Sequence, residues 1–543
     1  MCSNAQVAQD TGRLIQILPG SRSLRQKQID SITTVITLAG NAAVKQGNTT
    51  IKGDSIIVNQ LTGIAEVFGN VHINDADSVD TYSQYLKYLG RERIAYLKKS
   101  VKLTDGRATL FTDDLEYNLA TGIATYKNGG RVVNGKTILT SSDAIYYSDT
   151  KDVYFKKYVH LTDPKYDIVA DSLLYNTFRK EATFISPTRI KSKNGGIINT
   201  RNGTYNLETG KAEFYDRTSI SDSSYFVTGG KIAYEEKAGV LQIEENGKIV
   251  DSMNHVTLLG GLLYLNKKDK SFLGTRKPIM IIYKNNDSTY VAADTLFSGI
   301  RKSDKLKKST INIRDTLVKP ILLDVSKADS INIFSAKSGK NDSIQFRSTP
   351  PVTPDTIRYF LGFHHVRIFN DSLQAVSDSM YYSTEDSVFR LFKAPIFWNG
   401  KSQVSGDTMY LFTESQKPRR LYVFNNSMVI NEANKDVYNQ VAGRNLNAYF
   451  KEGSIDYVRV KGSPAESVFY PQDDDSAYIG MNRSSGDVID VYFNNKTLNR
   501  VKFINNVDGT LYPIRMTTHE QKFLKGFLWQ DKRRPKNKLE LFE

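Results

Sequence analysis

Tyr96-Leu97-Lys98-Lys99-Ser100-Val101-Lys102-Leu103-Thr104-Asp105 returns 58 residues later as Tyr154-Phe155-Lys156-Lys157-Tyr158-Val159-His160-Leu161-Thr162-Asp163. Thr62-Gly63-Ile64-Ala65 returns 59 residues later as Thr121-Gly122-Ile123-Ala124. Both offsets are twice a unit of 29 to 30 residues. The unit is marked by Asp-x-apolar-x-Tyr, at Asp113-x-Leu115-x-Tyr117, Asp143-x-Ile145-x-Tyr147 and Asp171-x-Leu173-x-Tyr175. Weaker copies are Asp54-x-Ile56-x-Val58, Gln84-x-Leu86-x-Tyr88, Gly230-x-Ile232-x-Tyr234 and Gly261-x-Leu263-x-Leu265. A second alternating segment recurs between them, as in Val71-x-Ile73, Val101-x-Leu103 and Val159-x-Leu161. Alternation at period two is the mark of a strand with one buried face. Gly69-Asn70, Asp105-Gly106 and Asn128-Gly129-Gly130 supply turn residues.

A unit of two or three short strands cannot bury its apolar face alone, but stacked units share one interior. The expected fold is therefore all-β, an elongated antiparallel rolled sheet or β-jellyroll of roughly 30-residue repeats. With one hydrogen-bonded step per unit its length would be on the order of 60–100 Å. The inner rows would consist of Ile56, Val58, Leu86, Tyr88, Leu115, Tyr117, Ile145, Tyr147, Leu173, Tyr175, Ile232, Tyr234, Leu263 and Leu265. Such rows form either a packed core or an apolar groove able to hold acyl chains, and the pattern does not choose.

Residues 1–30 read as a patternless tail and 31–300 as the main repeat domain. Residues 301–358, with Arg301-Lys302-Ser303-Asp304-Lys305-Leu306-Lys307-Lys308 and Thr349-Pro350-Pro351, read as a mobile polar insertion or linker. The repeat resumes over 359–470, and 471–543 reads as a cap with a basic end. Phe523 to Trp529 has helical apolar spacing, which predicts a capping helix or a surface-docking element. Ser3-Asn4-Ala5 has the small-x-small form of a signal-peptidase site, so the start reads as the remnant of a signal peptide.

The chain of 543 residues carries a formal charge of +15 and a single cysteine. One cysteine excludes a disulfide framework and Cys-rich metal sites. No apolar run approaches the length of a transmembrane helix. Gly130 to Thr137 fits the phosphate-loop pattern G-x-x-x-x-G-K-[ST], but β repeat follows where that motif needs a helix. His364 and His365 are adjacent, and on a strand they would leave opposite faces. No catalytic set, metal site or cofactor is expected. The Asp column at 113, 143 and 171 reads as turn residues bonding nearby backbone.

The run Gly53-Asp54-Ser55-Ile56 followed by Thr62-Gly63-Ile64-Ala65-Glu66-Val67-Phe68-Gly69-Asn70-Val71-x-Ile73 resembles the OstA-type (LptA-type) domain of lipopolysaccharide transport. The resemblance covers residues 38–300 and, less closely, 359–470. The layout also resembles the long OstA-like proteins of Bacteroidetes-type bacteria, which share a stretch like Lys461-Gly462-Ser463-Pro464-Ala465-Glu466. The resemblance implies a non-enzymatic periplasmic bridge that carries lipopolysaccharide or lipooligosaccharide, its acyl chains held by the inner rows. It implies sheet-edge pairing with other transport components at both membranes and no nucleic-acid partner. A structural or adhesin-like β-solenoid that binds protein or polysaccharide on its outer surface is the competing reading.

Overall fold

A computed structural model describes residues 14–542, apart from 76–77, 285–286, 303–355, 416, 474, 476 and 495–496. Among these residues, forty strands join into one antiparallel hydrogen-bonded network. The strands run as successive hairpins, each bent in its middle. Ile64–Asp75, for example, pairs with Thr49–Asn59 on one side and Val79–Leu89 on the other. Its register breaks between Phe68 and Val71.

The break is the corner of the roll. Two consecutive residues there adopt positive φ, a left-handed conformation that non-glycine side chains rarely take. The pairs are Gly40-Asn41, Gly69-Asn70, Lys99-Ser100, Asn128-Gly129, Lys157-Tyr158, Asp216-Arg217, Glu245-Asn246, Arg276-Lys277, His364-His365, Lys393-Ala394, Asn425-Asn426 and Asn505-Asn506. From residue 40 to 157 they return every 29 or 30 positions. This is the physical content of the sequence period: one corner per unit. Each corner splits its hairpin between two walls, so each unit adds two strands to each wall. The one-step length estimate is therefore low by about a factor of two, and the ladder is on the order of 120–200 Å long.

The Asp column lies opposite these corners. Asp54 accepts from Asn70 Nδ2 at 3.0 Å, and Asp407 and Asp487 accept from Asn426 and Asn506 in the same way. Asp143 pairs with Lys157 at 2.9 Å. His364 meets Asp378 at 3.3 Å and His365 meets Asp294 at 2.9 Å. The strand alternation expected for the two histidines does not apply, because both sit in a left-handed corner and each serves a different aspartate.

Between the walls runs one apolar cluster, continuous from Ile36 to Phe493. It passes without interruption from strand Thr295–Lys302 to strand Thr356–Asn370, which pair from Thr295↔Phe363 to Lys302↔Thr356. The polar segment expected at 301–358 falls almost wholly outside the described residues. At the start, Gln16–Ile17 and Ser23–Gln28, read from sequence as part of a patternless tail, both pair with Thr34–Gln46. After residue 470 the sheet continues through Met481–Asn494, Thr497–Ile504 and Asp508–Tyr512.

The phosphate-loop match is a β-hairpin, Gly130–Asn134 paired with Thr137–Ser141 around Gly135. No helix follows it. The expected helix at 523–529 is likewise absent. The one α-helix among the described residues is the single turn His519–Lys522; the chain then turns at Lys525-Gly526, runs without regular structure to Gln530 and closes in two 3-10 turns, Asp531–Arg533 and Lys538–Leu541.

Candidate interior conduit and its seam

Twelve of the fourteen inner-row residues face the interior. Ile56, Leu86, Tyr88, Leu173, Tyr175, Ile232, Leu263 and Leu265 have no measurable exposure, and Val58, Leu115 and Tyr117 are nearly as buried. Tyr234 is half-buried against the same cluster.

Ile145 and Tyr147 are corrections. They lie on the outer face, and Ala144 and Tyr146 take their places inside. Ala144 is opposite Tyr126 and Phe155, while Tyr146 is opposite Ala124 and Val153. A one-residue slip moves every side chain to the other face. The slip was readable from a different landmark. Gly53, Ser83, Thr112, Ser141, Ala170, Thr200, Gly229 and Gly260 recur every 29 to 31 residues, just before the bend of every second strand. Counting three and five residues on from each gives the inward pair, which places Ala144 and Tyr146 correctly.

The landmark is small because the bend brings the two walls together. A Cβ on Gly53 would strike Val67 Cγ1, and one on Gly229 would strike Ile243 Cγ2. Where a hydroxyl residue stands instead, it bonds a carbonyl: Ser83 to Tyr85 O at 3.0 Å, Ser141 to Asp143 O at 2.7 Å.

The open edges of the two walls meet. Gln46, the last residue of strand Thr34–Gln46 in one wall, donates to Gly90 O of the other at 2.9 Å and accepts the Tyr88 hydroxyl. Tyr117 donates to Asp75 at 3.0 Å, and Tyr146 to Asp105 at 3.0 Å. Asn134 donates to Tyr175 Oη at 3.3 Å and to Thr177 O at 2.8 Å. Ion pairs take over further along. Lys165 reaches Glu236 at 3.1 Å, Lys267 reaches Asp222 at 2.6 Å, and Arg358 Nη2 lies 3.0 Å from the buried Asp251. Asn399 then bridges to Gly453 O and to the Ile455 N–H. The first four tyrosine partners lie 41 or 42 residues upstream, one and a half units.

The seam explains why the inner rows end in tyrosine. The ring fills the interior while the hydroxyl crosses to the facing edge. Burial, and then the Asp75 carboxylate, push the Tyr117 hydroxyl well above its ordinary pKa. Burial drives Tyr175 up to about 12 against the opposing hydrogen bond from Asn134. For Asp105, burial acts upward, but bonds from the Ala108 and Arg107 amides and from Tyr146 outweigh it and hold the carboxyl below its usual value.

Beneath the Tyr146–Asp105 bond lies a cavity of about 20 Å³, lined by Ala108, Ala124, Ala144, Leu110 and Val132. That is room for about one water molecule. The small side chains around it belong to the rung where the Asp143 motif is out of phase with the inward pair Ala144 and Tyr146. Among the described residues, no cluster of three or more His, Cys, Asp or Glu is placed to hold a metal.

Residues 18–171 match the family model described as OstA-like protein. No curated protein matches the chain significantly. Among solved structures, the chain is similar to LptH of Pseudomonas aeruginosa, described as the LptA homologous periplasmic component of the conserved lipopolysaccharide transport device. That similarity stands at 11% identity and a TM-score of 0.19, over 20% of this chain and 83% of that one.

Proposed function

We propose, on the premise that residues 18–171 are an OstA-like segment of the OstA/LptA type, that the chain is a non-enzymatic bridge of lipopolysaccharide-transport type. The observation that carries the reading is the single apolar interior from Ile36 to Phe493, continuous with that segment. Acyl chains would lie along the inner rows at Leu115, Tyr117, Leu173 and Tyr175, with the anionic head outside. Lysine and arginine at the wall edges would meet the head. In the described state the seam is shut, so lateral loading requires the cross-wall bonds to part. Localisation in the periplasm and edge-to-edge pairing with other transport components belong to the same proposal.

The shut seam and the nearly full interior favour a second reading, a closed structural β-solenoid whose partner binds outside. Mass spectrometry of the protein purified under native conditions separates the two. A bridge co-purifies with acylated lipid, and the lipid is lost when the interior is filled by Ala144→Leu. A closed solenoid carries none.

A further inference from the structure

The segment from Pro513 to Phe542 has no fold of its own beyond short turns. It runs back across the outer face of one wall as a strap, perpendicular to the strands. Beneath it lies one register-paired row: Ile281, Tyr290, Phe369, Gln374, Trp398, Gln403, Ile430, Gln440, Val468 and Arg483, each opposite the next on neighbouring strands. Paired residues share a face, so apolar and amide side chains form a single track.

The amides grip the strap by its backbone. Gln440 donates to Lys522 O at 2.8 Å and accepts from the Leu524 N–H at 2.9 Å. Gln403 donates to Leu528 O and accepts from the Gln530 N–H, both at 2.7 Å. Each amide thus imitates a neighbouring strand. Gln403 and Gln440 have essentially no exposure, although they lie on an outer face. Side chains add selectivity. Leu524 joins Met428, Ile430, Val468 and Met481, while Phe527 and Trp529 pack their tilted rings around Tyr438. Arg534 bonds Gln374, and Leu541 packs on Ile279 and Ile281. Trp398 is fully buried in the track, yet its indole N–H has no partner among the described residues.

We propose that this track is a receptor for an extended peptide and that its second occupant is the strap of another copy of this chain. The strap's contacts are made with the track and with residues flanking it on the same wall, such as Met428, Tyr438, Met481 and Ile279, so reciprocal exchange between two copies recreates the same contacts at little cost. Only Pro513 to Thr518, just beyond the paired strand that ends at Tyr512, must re-route; the backbone bonds of Met516 and Thr517 stay within that stretch, and Met516 is largely exposed. The inference does not depend on lipid carriage.

The test uses the full chain with Cys2→Ser, which removes its single cysteine. One batch carries Ile281→Cys and another Leu541→Cys. The batches are mixed at rising concentration and oxidised. The expected result is a disulfide-linked dimer whose yield rises several-fold with concentration, alongside intramolecular linkage when both substitutions sit on one chain. Intramolecular linkage with no mixed dimer at any concentration overturns exchange. No linkage in either arm overturns the track itself. Tyr438→Cys with Trp529→Cys repeats the test at the other end of the strap and guards against a fold lost through one pair.

Discussion

Tyr117 and Asp75 show the logic at the scale of single residues. Tyr117→Phe keeps the ring and removes the bond across the seam, leaving Asp75 one donor short. The expected cost is about 1–2 kcal/mol in urea unfolding. The seam also sets a pH window. A tyrosine whose pKa is raised on folding contributes stability that is complete below pH 10 and is lost as pH climbs through the folded value. Asp105, held below its ordinary pKa, contributes stability that is complete above about pH 4 and is lost as pH falls further. The free energy of unfolding should therefore fall between pH 10 and 12, as urea titrations at a series of pH values would show, and Tyr175→Phe should remove part of that fall. Tyr158 makes the opposite prediction. It is an aromatic residue held at φ 54 and is 85% exposed. Tyr158→Gly relieves the left-handed strain at no packing cost and should raise the free energy of unfolding in urea by about 0.5–1 kcal/mol.

At the scale of the element, the bent hairpin is largely legible in the sequence. Period-two alternation and the 29–30-residue return identified the strands, because burying one face leaves a direct trace in residue type. Gly69-Asn70 announced a turn, but Lys99-Ser100 and His364-His365 adopt the same corner without turn chemistry. There the backbone follows its neighbours in the stack rather than local preference. Tyr88, Tyr117 and Tyr175 are legible as inward residues, whereas Tyr146 and the purpose of all four hydroxyls are not. Their partners lie 41 or 42 residues away, beyond any local pattern. The Ile145 and Tyr147 assignment failed because Asp143 mimics the motif one residue late, whereas Ser141 keeps the true phase. Gly229→Leu, which would press on Ile243 at that landmark, should cost about 1–3 kcal/mol through overpacking. The strap was missed for a related reason. Apolar spacing at 523–529 fits a helix in isolation, but Gln403 and Gln440 offer the backbone better partners in the extended form. Gln440→Ala should remove the hydrogen-exchange protection of the Leu524 amide while leaving the interior amides unchanged.

At the scale of the whole molecule, one interior spans the described repeats, and a sewn edge closes it along much of their length. Asp251→Asn would weaken the buried pairing with Arg358 and should destabilise the roll by about 3 kcal/mol, as expected for a buried charge left without its partner. The claim on which the functional reading rests is that this interior receives acyl chains. Its most direct test places a photo-crosslinking amino acid at Tyr117 or Tyr175 and, as control, at the exposed neighbour Glu116, in cells. A conduit yields lipopolysaccharide adducts at the two interior positions and few at Glu116. Equal capture at Glu116, or no lipid adduct at either interior position, would contradict it.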